Sequence, residues 1–244
     1  AILRTHVLRP TWHFVAREDL RWMVLLTAPH VLTRMRPWDR RAGLDEAAIA
    51  GGIRRIARVL AAGEHATRAR LAQAFARTPV AGQPWLLGHL LMHAEQRGVV
   101  CSGVPRDGQQ TYALVDDRAP GPALFAGDAA LAELATRYFR SHGPATEADF
   151  AWWSGLPLRA ARRGIDAAGA AIVCVTRAGT TWLSVPDAGS SPGQASRAEV
   201  AAAHLLQSFD ELIVAYSDTR AVVDTSGLGR AADRQGLLAR TVLA

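Results

Sequence analysis

Three arginines, Arg159, Arg162 and Arg163, fall within five residues of a segment with helical spacing. Arg159 and Arg163 lie four apart and share a helix face, with Arg162 adjoining. Guanidinium groups so grouped on a surface suit the phosphates of a polyanion, and each contact adds salt-sensitive affinity without reading sequence. A second constellation is His89-x-x-x-His93, the spacing of two metal ligands on successive helical turns. Leu90 stands where a zinc protease carries its glutamate, and the sequence offers no evident third ligand. The expectation is therefore no metal and no cofactor, with His89 and His93 either facing a nucleic-acid groove or lying on a plain surface. Thr11 and His13 alternate on a strand next to Arg9, so both side chains share one face, suited to a phosphate or an unstacked nucleotide. Arg106 and Arg177 sit at hairpin tips, within reach of a phosphate or a minor groove. Asp210-Glu211 invites acid–base chemistry, but neighbours on a strand point to opposite faces, so no catalytic role is read there.

Composition sets the context for these side chains. All 28 basic residues are arginine, and lysine and asparagine are both absent, a pattern of codon bias as much as of phosphate recognition. The distribution of charge carries more information: residues 1–70 hold 13 arginines against 6 acidic residues, while the remainder is nearly balanced. That asymmetry favours a polyanionic partner. A hydrophobic content of 49% over 244 residues is enough for buried cores. No apolar run reaches membrane-spanning length and no signal peptide opens the chain, so no membrane association is expected. Cys101 and Cys174 lie far apart and outside any Cys-x-x-Cys pair, which points to a reducing cytoplasm.

The elements that must position these residues form a repeated order. Residues 3–15 alternate as a strand pair turning at Arg9-Pro10, with Trp12 and Phe14 expected on the core face. Residues 18–28 are helix-like and expected to stop at Pro29, followed by an arginine-rich connection. Helices are then expected over 45–62, 67–77 and 83–97, and a hairpin pairs 99–101 with 111–114 through Pro105-Arg106-Asp107-Gly108. A second set follows: a helix over 128–141, a Thr146-capped helix to Trp153, a helix over 157–168, and a hairpin of 172–176 with 181–185. Helix, helix, turn, helix, hairpin is the order of a winged helix. The expected fold class is α+β, mainly α, with tandem winged-helix units. The boundaries are 1–44 for the wing and following helix of a truncated first unit, 45–118 for a second, and 119–186 for a third. Residues 187–196 form a linker, and 197–244 an incomplete C-terminal β unit with a short helix and a β-like run over 209–216. Both chain ends are strand-like and read as cuts through structure.

Several blocks resemble one family. They are Leu8-Arg9-Pro10-Thr11-Trp12-His13-Phe14-Val15, the segment through Glu18, Trp22 and Pro29, Gly98-Val99-Val100-Cys101-Ser102-Gly103, Tyr138-Phe139-Arg140-Ser141-His142-Gly143-Pro144-Ala145-Thr146, and Phe209-Asp210-Glu211 with Val214-Ala215-Tyr216. Together they resemble the bacterial winged-helix DNA-binding family that includes alkylpurine and interstrand-crosslink repair DNA glycosylases. That resemblance implies three winged helices and a C-terminal β-barrel gripping double-stranded DNA in a basic concavity. It also implies metal-free hydrolysis of the N-glycosidic bond of alkylated or crosslinked purines by a Gln-x-Gln or Gln-x-Asp motif. Thr11 and His13 match the family's Thr-x-His positions. No Gln-x-Gln or Gln-x-Asp stands among the ten residues before Thr11, so this chain is expected to bind duplex DNA, with enzymatic activity resting on the full-length protein. Non-enzymatic alternatives are a winged-helix transcription regulator or DNA-associated factor, or a winged helix used for protein contacts.

Overall fold

The computed structural model describes residues 1–186, 204–206, 211–217 and 241–243. The described residues are mainly helical, with short antiparallel sheets. They form two compact units, Ala1–Ala130 and Leu131–Ala244.

In the first unit, β1 (Ile2–His6) and β2 (Trp12–Ala16) make an antiparallel hairpin in which Leu3 faces Val15, Thr5 faces His13 and His6 faces Trp12. The expected core face is reversed. Leu3, Thr5 and Val15 are buried, whereas Phe14 is 78% exposed and Trp12 48%. Strand alternation permits either face inward. The aliphatic positions won, and Trp12 is instead held by the Arg4 guanidinium, 4.2 Å from its ring centroid.

Helix α1 (Leu20–Arg41) also departs from expectation by running through Pro29 and Pro37 instead of stopping before the first. Both prolines are exposed, as are Leu25 and Thr33 four residues before them, so the carbonyls that lose an N–H partner lie on the solvent side. The buried stripe continues unbroken through Trp22, Val24, Ala28, Val31, Met35 and Asp39. An interior proline costs about 3 kcal/mol, and full burial of an aliphatic side chain returns about 1.5–3 kcal/mol. Val31 and Met35 beyond Pro29 are therefore enough to carry the helix onward. The consequence is functional: Trp38, Asp39 and Arg41 ride on helix instead of a loose connection.

Helix α2 (Glu46–Val59) is capped by Asp45, whose carboxylate accepts from Ala48 N at 2.7 Å. Strand β3 (Ala66–Thr67) leads into α3 (Arg68–Gln73), capped by the Thr67 hydroxyl, and then α4 (Pro84–Gln96). The Gly52 backbone of α2 packs so closely on Leu90 of α4 that an added Cβ would meet the leucine at 2.9 Å. Ile49, Ile53, Ile56, Leu71, Leu87 and Leu91 belong to the same core. Strands β4 (Val100–Ser102) and β5 (Thr111–Leu114) pair, with β3 on the other side of β5. Asp107 and Gly108 take positive φ at the tip, as a tight hairpin turn requires. A short α5 (Val115–Arg118) follows.

Helix α6 (Gly127–His142) carries the chain into the second unit. Helix α7 (Glu147–Ser154) starts with the expected capping box, Thr146 and Asp149 each bonding the other's backbone N–H. Helix α8 (Leu158–Ala168) meets α6 at Gly164. Strands β6 (Val173–Arg177) and β7 (Thr180–Ser184) turn at Ala178-Gly179. Tyr138, Phe139 and Phe150 are fully buried, and His142 stacks on Tyr138 with ring centroids 4.8 Å apart. The Tyr138 hydroxyl donates to Ala215 O at 3.1 Å, and Tyr216 OH donates to His142 O at 3.0 Å. Two of the blocks singled out in the sequence thus meet in one aromatic core.

The C-terminal expectations fare differently. Glu211–Val214 forms a short helix, α9, where a β-like run was expected. His204–Leu206, expected as part of a helix, is a strand, β8, that pairs antiparallel with β9 (Thr241–Leu243). The linker at 187–196 and Asp210 lie outside the described residues, and among those described the sheets stay open, with no closed barrel.

Candidate nucleic-acid interface

Within the first unit, the extension of α1 past its prolines closes one side of a cavity of about 460 Å³. Trp12 of β2, Trp38 of α1 and Trp85 of α4 line it, with Tyr112, Met92 and His6. The three tryptophans are each about half exposed, at 48%, 57% and 54%. Arg41 and Arg68 stand at the same cavity and are exposed. Arg68 is fixed by donation from Nη2 to Pro84 O at 2.6 Å, and its guanidinium lies close over Gly88, where a side chain would collide with it. Half-exposed aromatic faces beside guanidinium groups suit a flat, unstacked base attached to a phosphate backbone.

His6 enters the cavity wall on a carboxylate support. Its backbone N–H donates to Glu95 Oε2 at 3.2 Å, and its ring Nδ1 donates to the same oxygen. His6 and Glu95 are 7% and 1% exposed. The bond fixes the imidazole's tautomer, leaving Nε2 as the acceptor nitrogen. An imidazole oriented by a carboxylate can hold a proton or a polar substituent in a set direction. Neither His6 nor Glu95 was singled out in the sequence, because nothing in their spacing links residues 89 apart.

On the neighbouring strand, Thr11 is exposed and His13 half-buried. His13 Nδ1 donates to Thr11 O at 3.1 Å, which again leaves Nε2 as an acceptor. Arg9 is half-buried at the turn. The three residues expected at this hairpin are thus adjacent, and Trp12 between Thr11 and His13 borders the cavity.

His89 and His93 depart from the expected outer face of their helix. They are 6% and 2% exposed because α1 covers that side of α4, and both Nε2 atoms donate to Asp39 Oδ1, at 2.6 and 2.8 Å. They are not positioned to enter a groove. Burial by itself raises the Asp39 carboxyl pKa, but hydrogen bonds from His93 and His89 outweigh it and leave the value below the ordinary carboxylate range. Burial likewise pushes the His93 pKa below its ordinary value, with partial compensation from Asp39. The continued helical stripe from Trp22 to Asp39 was the signal that could have located Asp39.

Arg106 is exposed at the first unit's hairpin tip, 3.7 Å from Glu64 Oε1. In the second unit, Arg159, Arg162 and Arg163 are all exposed on α8. Arg162 is engaged in a two-point bond to Glu147, through Nε at 2.9 Å and Nη2 at 2.5 Å. That bond holds the Glu147 carboxyl below its ordinary pKa. Arg159 has no such partner among the described residues. Arg177 is exposed at the β6–β7 tip.

Among the described residues, no helix is long and apolar enough to cross a membrane. No curated protein matches the sequence. The fold is similar to the solved structure of Streptomyces sahachiroi DNA glycosylase AlkZ, with a TM-score of 0.74 at 19% identity; the match covers 99% of this chain and 67% of that one. The sequence matches the AlkZ-like DNA glycosylase family over residues 1–244. The chain belongs to the AlkZ-like DNA glycosylase family.

Proposed function

We propose that this chain binds double-stranded DNA as part of a repair glycosylase acting on alkylated or crosslinked purines, and that its tryptophan-lined cavity receives an unstacked base. The cavity carries this reading: three half-exposed tryptophans and two exposed arginines border about 460 Å³ beside the Thr11–His13 strand. Family membership supplies the reaction class. In this reading Trp12, Trp38 and Trp85 offer stacking faces, Arg41 and Arg68 meet phosphate, and His6 orients a polar edge. The two helix-and-hairpin sets act as tandem winged helices, with Arg9, Thr11, His13 and Arg106 in one unit and Arg159, Arg162, Arg163 and Arg177 in the other placed against the duplex.

The test compares affinity for a fully paired duplex with affinity for one carrying a single extrahelical purine, followed by assay of purine release from alkylated duplex. The proposal expects tighter binding to the extrahelical form. Trp85→Ala should remove about 1–3 kcal/mol of that preference, the value of one base–aromatic stack. Equal affinity for the two duplexes, unaltered by Trp85→Ala, would overturn the base-capture assignment. Retained duplex binding without purine release would favour a non-enzymatic DNA-binding role.

A further inference from the structure

We propose that Asp39, His89 and His93 form a binding site for one divalent transition-metal ion of the Zn²⁺ class, at the wall of the aromatic cavity. The sequence supplied two ligands at the right spacing and no third. The fold supplies it, because α1 continues past Pro37 and brings Asp39 over the two histidines. One ligand atom from each residue lies within 4.8 Å of the others. Two imidazole nitrogens and one carboxylate form a donor set suited to Zn²⁺ and its neighbours in the first transition row.

The distances allow it. Ligands placed about 2.0–2.2 Å from a tetrahedral ion stand about 3.4 Å apart. The two nitrogens are now 2.6 and 2.8 Å from Asp39 Oδ1, so each nitrogen–oxygen separation opens by less than about 1 Å to admit the ion. On binding, each Nε2 gives up to water the proton it donates to Asp39 and turns its lone pair to the metal, while each Nδ1 takes a proton from water, so no net proton is released. The three residues are 8%, 6% and 2% exposed, which shields the ligand bonds from water. His89 borders the cavity, which provides an entry path and space for a fourth ligand. The ion would tie the last turn of α1 to α4, two elements that both line the cavity. The site stands independently of base capture.

The experiment takes the chain after treatment with EDTA and desalting, then titrates Zn²⁺ by calorimetry and Co²⁺ by visible absorption. The expected result is one ion per chain, a Co²⁺ spectrum of a low-symmetry nitrogen–oxygen site, and a Tm that rises with Zn²⁺. His89→Gln and Asp39→Asn keep side chains able to hydrogen-bond while removing a metal ligand. Each should weaken Zn²⁺ binding at least tenfold, with folding verified by circular dichroism. Cys174→Ser, at an exposed thiol on β6, should leave binding unchanged. Absence of stoichiometric binding by the unaltered chain overturns the proposal and leaves the cluster as a hydrogen-bonded core contact. Equal binding by His89→Gln and Asp39→Asn overturns it too, since the ion then sits elsewhere.

Discussion

Removing Arg159 from α8 should reduce the salt sensitivity of DNA binding, and removing its neighbour Arg162 should do less. Each phosphate contact contributes about 0.9 to the slope of log affinity against log salt. Arg159 is exposed and has no partner among the described residues, so Arg159→Ala is expected to flatten the slope by about one contact's worth. Over a fourfold change in salt, that difference amounts to a factor of about 3.5 in relative affinity. Arg162 must first loosen its two bonds to Glu147 Oε1 and Oε2, so its net contribution is smaller. Glu147→Gln should strengthen binding, because it removes a negative charge from the face and weakens the hold on Arg162. Fluorescence anisotropy on a labelled duplex, across a salt series, measures all three variants. The sequence itself gave the three arginines equal standing; only the Glu147 bond ranks them. An unchanged slope for Arg159→Ala, or a larger loss for Arg162→Ala than for Arg159→Ala, would refute the ranking.

Other expectations are simpler to check. Burial pushes the Cys101 thiol pKa up to about 12, so at pH 8 it is almost entirely protonated and shielded, whereas Cys174 is exposed. A thiol reagent should therefore modify one cysteine per native chain and two after unfolding. Gly164→Ala places a Cβ 2.8 Å from Leu131 O, a backbone atom that cannot rotate away. Overpacking of about 1–3 kcal/mol then competes with the helix-propensity gain of about 1 kcal/mol, and denaturant melts should show a net loss. Thr146→Ala should cost about 1 kcal/mol as a lost helix cap. Asp149→Ala should cost more in the same assay, since that carboxylate also accepts from Ser217 N at 2.7 Å.

Local chemistry was legible in the sequence wherever neighbours along the chain decide structure. Thr146 caps its helix as expected, and Asp45 and Thr67, at the expected helix starts, cap theirs, because a cap is a contact over three residues. Asp107-Gly108 and Ala178-Gly179 turn their hairpins, because positive φ is set by one or two residues. The α8 arginines share an exposed face for the same reason of short-range period.

Tertiary structure decided the rest. Local rules stop a helix at proline, yet α1 runs on through Pro29 because long-range burial of Val31 and Met35 beyond it outweighs the local cost. Strand alternation left both faces of the first hairpin open, and packing chose Leu3 and Val15 over Trp12 and Phe14. The sequence by itself determined that His89 and His93 share a helix face. That the face meets Asp39, fifty residues earlier, and not solvent was settled only by the packing of α1 on α4. Contacts between residues so far apart in the chain have no local period, so a site assembled from them appears only when the helices pack.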